Sequence, residues 1–252
     1  MAVMRRIHAD ETGIDGANGG MAVVGDQRLR MRATGRLEGV IAIADLAAAV
    51  AAALLPPGLE LLPQNSAPAG RHPLILLFGE HGRVGAAGLR YGLRYREFVL
   101  ALPCVRPRAG PRGPFCHLPL LLLDRRLPVL LGRWLYGFAK RLAGIRWTAN
   151  GFDIARRSDG APLLEARCRP LALGPASAPV RGLLEQPLIS GGGPRWRYAR
   201  FDFGWAQARL QAVEAEIAID PGLLTGLPVG PIRVERAFRL ETDWTLRRWR
   251  PR

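Results

Sequence analysis

One lysine, Lys140, stands among 36 basic side chains; every other one is arginine. The two types are not chemically interchangeable. A guanidinium keeps its proton at physiological pH, whereas a desolvated ammonium can give one up and attack a carbonyl carbon. In a chain biased toward arginine wherever lysine and arginine are exchangeable, a surviving lysine marks a position that needs an amine. Its neighbours suit that chemistry. Leu135-Tyr136-Gly137-Phe138-Ala139 is an apolar, aromatic approach able to bury the amine, and Arg141 follows as a fixed positive charge. Burial and like-charge repulsion both disfavour the ammonium form, so the segment predicts a lysine able to act as a nucleophile. The competing reading is chance survival of a surface lysine.

The remaining reactive residues lack the spacing of a site. Cys104, Cys116 and Cys168 are odd in number with no CxxC pair, which argues against a disulfide framework and a structural zinc. His8, His72, His81 and His117 show no HExxH or paired-ligand spacing and read as structural, so no metal site is expected. Ser66, Ser158, Ser177 and Ser190 are outside any GxSxG motif. Gly79, Gly82, Gly85 and Gly88 recur every three residues, but they match neither GxGxxG nor GxxxxGK[ST] and read as a flexible loop rather than a phosphate cradle. Ser190-Gly191-Gly192-Gly193 reads as a mobile turn rather than an anion-binding nest.

The net charge of +15 raises the question of an acidic partner. Arg195-Trp196-Arg197-Tyr198 with Arg200, and Arg247-Arg248-Trp249-Arg250 with Arg252, interleave cations with rings, as a single-strand-binding surface does. No recognisable binding motif accompanies them. A solvated rim or subunit contact is the favoured reading, and nucleic acid the disfavoured partner.

The elements that must carry Lys140 are mostly strands. With 48% hydrophobic residues the chain can bury a sizeable core, which excludes disorder. A bilayer span needs about 20 apolar residues; the runs 40–55 and 118–131 are shorter and are broken by Asp45 and by Asp124-Arg125-Arg126. No secretory signal precedes them, so a cytoplasmic protein without a membrane partner is expected. Residues 1–27 are Gly-rich and polar and read as a flexible arm, leaving 28–252 as a single domain. Asp45 as N-cap, an alanine-rich run to Leu55 and then Pro56-Pro57 predict one early helix. Apolar runs at 74–78, 97–102, 118–123 and 128–131 predict strands, as do the alternating stretches 208–219 and 232–240 about the turn Asp220-Pro221-Gly222. The fold class is α+β and β-dominated.

Two stretches carry a family resemblance. Leu120-Leu121-Leu122-Leu123-Asp124, followed by Gly132-Arg133-Trp134-Leu135-Tyr136-Gly137-Phe138-Ala139-Lys140-Arg141-Leu142, resembles the signature of the acetoacetate decarboxylase family. That signature is an apolar strand ending in Asp, then Gly-Arg-Glu, an aromatic stretch and Pro-Lys-Lys-Leu. Tyr95-Arg96-Glu97-Phe98 resembles the family's Tyr-x-Glu segment; Leu54-Leu55-Pro56 with Leu59 and Glu60, and Gly226-Leu227-Pro228-Val229, resemble its helix exit and C-terminal region. The resemblance runs over most of residues 30–250. It implies an acetoacetate decarboxylase-like antiparallel β-barrel or cone with a few peripheral helices, and a homo-oligomer. It also implies Lys140 as Schiff-base nucleophile, Glu97 and Arg141 beside it, and substrate contacts from Tyr95, Phe138 and an N-terminal arginine. Arg36 is the nearest counterpart of that arginine, in competition with Arg30 and Arg32. Three positions depart from the signature: Trp134 for Glu, Ala139 for Pro and Arg141 for the second Lys. They bear on pocket shape and on how the lysine is presented.

The implied reaction is decarboxylation of a small β-keto acid through a lysine imine, with Glu97 handling protons or orienting the substrate and no metal or organic cofactor required. Two alternatives stand beside it. The same imine can drive aldol or dehydration chemistry on a pyruvate-like acid, and the fold can serve as a non-catalytic ligand-binding protein.

Overall fold

Side chains that alternate between two apolar environments dominate the chain, and they build long strands rather than helices. The computed structural model describes residues 32–86, 89–171, 178–191, 196–220, 222–227 and 230–251. The expected arm at 1–27 and Arg30 lie outside them. In chain order the strands are β1 (Arg32–Ala47), β2 (Leu59–Leu61), β3 (Arg71–Ala86), β4 (Leu89–Pro107), β5 (Phe115–Leu123), β6 (Lys140–Leu142), β7 (Gly144–Thr148), β8 (Gly151–Ala155), β9 (Pro162–Pro170), β10 (Leu188–Ser190), β11 (Arg197–Phe203), β12 (Arg209–Ile219), β13 (Gly230–Ile232) and β14 (Val234–Trp249). The helices are α1 (Ala48–Ala53), α2 (Arg126–Tyr136) and α3 (Ala178–Leu184).

The hydrogen-bonded path β1-β3-β4-β5-β10-β11-β14 returns to β1, because β14 pairs with both β11 and β1. The circuit is therefore closed, which leaves no free edge among those strands. From β14 the sheet continues through β12, β9, β8 and β7. Most neighbours are antiparallel, in keeping with the expected barrel-like wall, and β5 alone runs parallel to its neighbours β10 and β6 among the described strands.

Period two sorts the circuit's residues into two cores. Leu76, Phe78, Phe98, Leu100, Leu120 and Leu122 join Phe152, Ile154, Ala166 and Ile217 of the extension in one cluster. Leu37, Leu77, Tyr95, Leu121, Phe238, Leu240 and Trp244 belong to a second, which fills the inside of the circuit. Because a one-residue slip would exchange the two faces, the register Gly79↔Glu97 and His81↔Tyr95 between β3 and β4 decides which residues look inward.

Three expectations are corrected. The early helix starts at Ala48 with Ala47 at its N-cap position and no side-chain cap; Asp45 stays in β1, where Arg71 pairs with its buried carboxylate. The run 128–131 is helical: Pro128, Val129, Gly132, Leu135 and Tyr136 of α2 are buried at helical spacing, and Pro128 sits in the first turn, where a missing N–H costs little. Gly79, Gly82 and Gly85 lie within β3 instead of a loop, and Gly88 is outside the described residues, as are Gly192 and Gly193. Gly39 of β1 is needed as glycine because a Cβ there would lie 2.2 Å from the Phe78 carbonyl oxygen of β3. Among the described residues, no helix is long and apolar enough to cross a membrane.

Candidate active site

Lys140 is placed by the end of α2. Gly137 adopts the left-handed conformation (φ 72°) and its N–H bonds to the carbonyl of Arg133 at 3.0 Å, a glycine-terminated helix exit. The last carbonyls of α2 are satisfied from other strands: Arg248 donates to Leu135 O at 2.9 and 2.6 Å, Ser190 Oγ to Tyr136 O at 2.7 Å and Arg197 to Trp134 O at 3.4 Å. The chain then reverses into β6, where Arg133 Nε donates to the Lys140 carbonyl at 2.8 Å and Lys140 pairs with Leu121. Leu121 faces the inner core, so Lys140 does too. Its side chain runs across Gly132, where a Cβ would lie 2.6 Å from both Cδ and Cε.

Inside the circuit Lys140 Nζ donates to Glu97 Oε1 at 2.8 Å, and both side chains are over nine-tenths buried. Glu97 owes its inward position to β4, which Asp124 ties down by accepting the Arg96 N–H at 2.9 Å. His81 Nε2 lies 3.2 Å from the other oxygen, Oε2, in a direction that makes no hydrogen bond; neither ring nitrogen has a hydrogen-bond partner among the described residues. Burial pushes the Glu97 carboxyl up, but the Lys140 ammonium and the His81 ring outweigh it, and its pKa is lowered to about 2. The Tyr95 ring sits 5.9 Å from Nζ, and burial raises its phenol well above the usual value. A cavity of about 110 Å³ opens over these groups, walled by Leu77, Leu121, Phe138, Leu184, Phe201 and Trp244 among others. Among the described residues, its charged or titratable liners are His81, Tyr95, Glu97, Cys116 and Lys140. Among the described residues, no three His, Cys, Asp or Glu side chains gather so as to hold a metal ion.

The structure brings Lys140, Glu97, Tyr95 and Phe138 together and leaves two sequence-nominated residues outside. Arg141 follows Lys140 in β6, so the pleat turns it outward, and it is exposed; the charge that meets the amine is the Glu97 carboxylate, not a neighbouring cation. Arg36 precedes the inward Leu37 and therefore points out of the circuit, where it pairs with Glu241. Arg32 is likewise exposed and bonds Thr245 Oγ1 at 3.0 Å. Of the signature departures, Trp134 is 59% exposed and Ala139 is exposed, so neither shapes the cavity. The residue missed from sequence is His81, read there as structural. The signal was the period-two row Ile75, Leu77, Gly79, His81, which sets it on the inner face once β3 is seen to be a strand.

The two Arg/aromatic stretches also acquire a structural account. They are adjacent strands, Tyr198 opposite Trp249, whose rings pack on Phe115 while Arg197 and Arg248 close the end of α2.

Fold and site together form an apolar cavity inside a closed β wall, with a buried lysine–carboxylate pair at its floor. The acetoacetate decarboxylase family matches the chain over residues 21–196, and the chain belongs to that family. Solved structures agree in fold. An acetoacetate decarboxylase-like enzyme from Sphingomonas wittichii RW1 is 13% identical, with 88% of this chain and 94% of that one covered at a TM-score of 0.63. The acetoacetate decarboxylase of Legionella pneumophila is 16% identical, with 87% of each chain covered and a TM-score of 0.58. The enduracididine biosynthesis enzyme MppR complexed with pyruvate is 17% identical, with 86% of this chain and 87% of that one covered and a TM-score of 0.54. No curated protein sequence matches the chain.

Proposed function

We propose that the protein is a Schiff-base decarboxylase of a small, acetoacetate-like β-keto acid. The observation that carries this reading is the Lys140 amine, buried at the floor of an apolar cavity 2.8 Å from Glu97. The neutral amine adds to the ketone carbon to give a carbinolamine, and loss of water leaves a protonated imine. The bond to the carboxylate then breaks: its electron pair flows into the imine as carbon dioxide departs, leaving an enamine. Protonation of the enamine carbon and hydrolysis release the methyl ketone and return the amine. Glu97 holds the amine in place and takes part in its proton exchange. An apolar wall solvates a carboxylate poorly and carbon dioxide well, which favours the same direction. Tyr95 and Phe138 flank the bound acid. Self-association, checkable by light scattering, and a cytoplasmic location belong to the same reading.

A second reading keeps the imine and replaces decarboxylation by condensation or dehydration on a pyruvate-like acid. The structures of MppR with pyruvate, and with the condensation product of pyruvate and imidazole 4-carboxaldehyde, favour it. Incubation with acetoacetate and with pyruvate separates the two. The decarboxylase reading expects carbon dioxide from acetoacetate that disappears in Lys140→Ala; turnover of pyruvate with an aldehyde and none of acetoacetate would replace it with the second.

A further inference from the structure

His81 is the group in the cavity that the chemistry above does not use. It is 2% exposed, and both ring nitrogens lack a hydrogen-bond partner among the described residues. Buried polar atoms are normally paired, and leaving them unpaired is destabilising. Packing accounts for the ring but not for its nitrogens: Tyr95 stacks on it at 4.8 Å, Trp244 meets it edge-on at 5.4 Å, and Leu37 is its neighbour on β1. A phenyl ring would make the same contacts without the unpaired atoms.

What the nitrogens do have is a carboxylate shared with the lysine. Glu97 presents Oε1 to Lys140 Nζ at 2.8 Å and Oε2 to His81 Nε2 at 3.2 Å. A lysine that attacks a carbonyl must first lose a proton. Glu97 is the nearest acceptor but a poor place for the proton to stay, since its carboxyl is lowered to about 2. An imidazole can take up a proton on one nitrogen and pass it on again, and His81 is the imidazole within reach of the carboxylate.

We propose that His81 holds the proton that Lys140 releases. The inference rests on the Schiff-base reading. The proton passes from Nζ to Glu97, and small turns of the carboxyl group and of the His81 ring, whose Nε2 rests 3.2 Å from Oε2, bring the two into hydrogen-bonding line so that it binds at Nε2, giving a neutral amine and an imidazolium. After the amine has added to the ketone, the same proton returns through the carboxylate to the carbinolamine hydroxyl, which departs as water and leaves the protonated imine. The positive charge thus moves from ammonium to imidazolium to iminium, and His81 ends neutral. His81 acts through Glu97, as a residue that positions a proton, and not on the substrate carbon. The titratable groups that share its surroundings are Tyr95 and Glu97 on β4, Lys140 on β6 and Cys116 on β5; β1 and β14 present Leu37 and Trp244. Burial raises both the Tyr95 phenol and the Cys116 thiol, so neither competes for this role.

The test is the rate at which borohydride with acetoacetate labels Lys140, measured from pH 5 to 9 for the unmodified chain and for His81→Phe, which keeps the ring contacts. We expect labelling at pH 7 to fall about 100-fold or more in the variant, KM to stay within about threefold, and the profile to become a continuous rise with pH. Added imidazole should restore labelling to His81→Ala. His81→Gln, which keeps a polar group that does not titrate, should behave as His81→Phe and guards against misfolding of either variant. Labelling of His81→Phe or His81→Gln within threefold of the unmodified chain, with the same pH profile, overturns the inference while leaving the imine intact. Absence of any label in the folded, unmodified chain overturns both.

Discussion

Gly132→Ala separates the lysine's position from the stability of the fold. Gly132 lies inside α2, where alanine is favoured over glycine by about 1 kcal/mol, so propensity alone predicts a more stable protein. The new Cβ, however, falls 2.6 Å from Lys140 Cδ and Cε, against an optimum of about 3.5 Å between carbons. The atoms it meets are the flexible part of a side chain, so the lysine gives way by about 1 Å and the helix does not. That displacement takes Nζ beyond hydrogen-bonding range of Glu97, now 2.8 Å away. A misplacement of about 1 Å in a reacting group costs on the order of 100-fold in rate. The weakened ion pair offsets the helical gain, and the unfolding free energy should stay within about 2 kcal/mol of the parent. Urea denaturation reads the second quantity, and acetoacetate turnover with borohydride labelling of Lys140 reads the first. Labelling at the parent rate in a folded Gly132→Ala protein would refute the claim that Gly132 seats the lysine.

Other perturbations test neighbouring links. Glu97 titrates near pH 2 in the fold against about 4.5 unfolded, so its contribution of about 3 kcal/mol is complete above pH 5 and is lost as pH falls through 4.5 toward 2. Glu97→Gln should flatten that part of the stability–pH curve, read by urea denaturation at fixed pH. It should also destabilise the fold at pH 7 by about 3 kcal/mol, because the buried ammonium loses its partner. Arg141→Gln and Arg36→Ala, both exposed and outside the cavity, should leave acetoacetate turnover within about threefold of the parent; a 100-fold loss in either would return them to the site. Arg248→Ala removes two donors from Leu135 O and should lower thermal stability by about 1–3 kcal/mol, with no change at Glu97.

The fold class was legible because short apolar runs between Gly/Pro clusters (74–78, 97–102, 118–123) and the alternating stretch 208–219 fall in strands, as their patterns say. Closure of the circuit was not, since it depends on β14 finding β1 some 200 residues away, a pairing that no local pattern encodes. The helix at α2 was misjudged because Pro128-Val129-Leu130-Leu131 is too short to distinguish a buried strand from one helical turn. Composition singled out Lys140, its apolar neighbours marked it for burial, and the family motif nominated Glu97; the two side chains lie buried side by side. Arg141 adjoins Lys140 in sequence but faces the other way, because a strand sends neighbours to opposite faces. His81 needed the β3–β4 register, which the glycines of β3 obscured.

The central claim is that Lys140 forms an imine that loses carbon dioxide. It is tested most directly by treating the folded protein with acetoacetate and borohydride and mapping the modified peptide by mass spectrometry. The account predicts an isopropyl group on Lys140, the reduced imine of acetone, formed only after decarboxylation. An unmodified Lys140, or an adduct there that still carries the carboxylate, would contradict it.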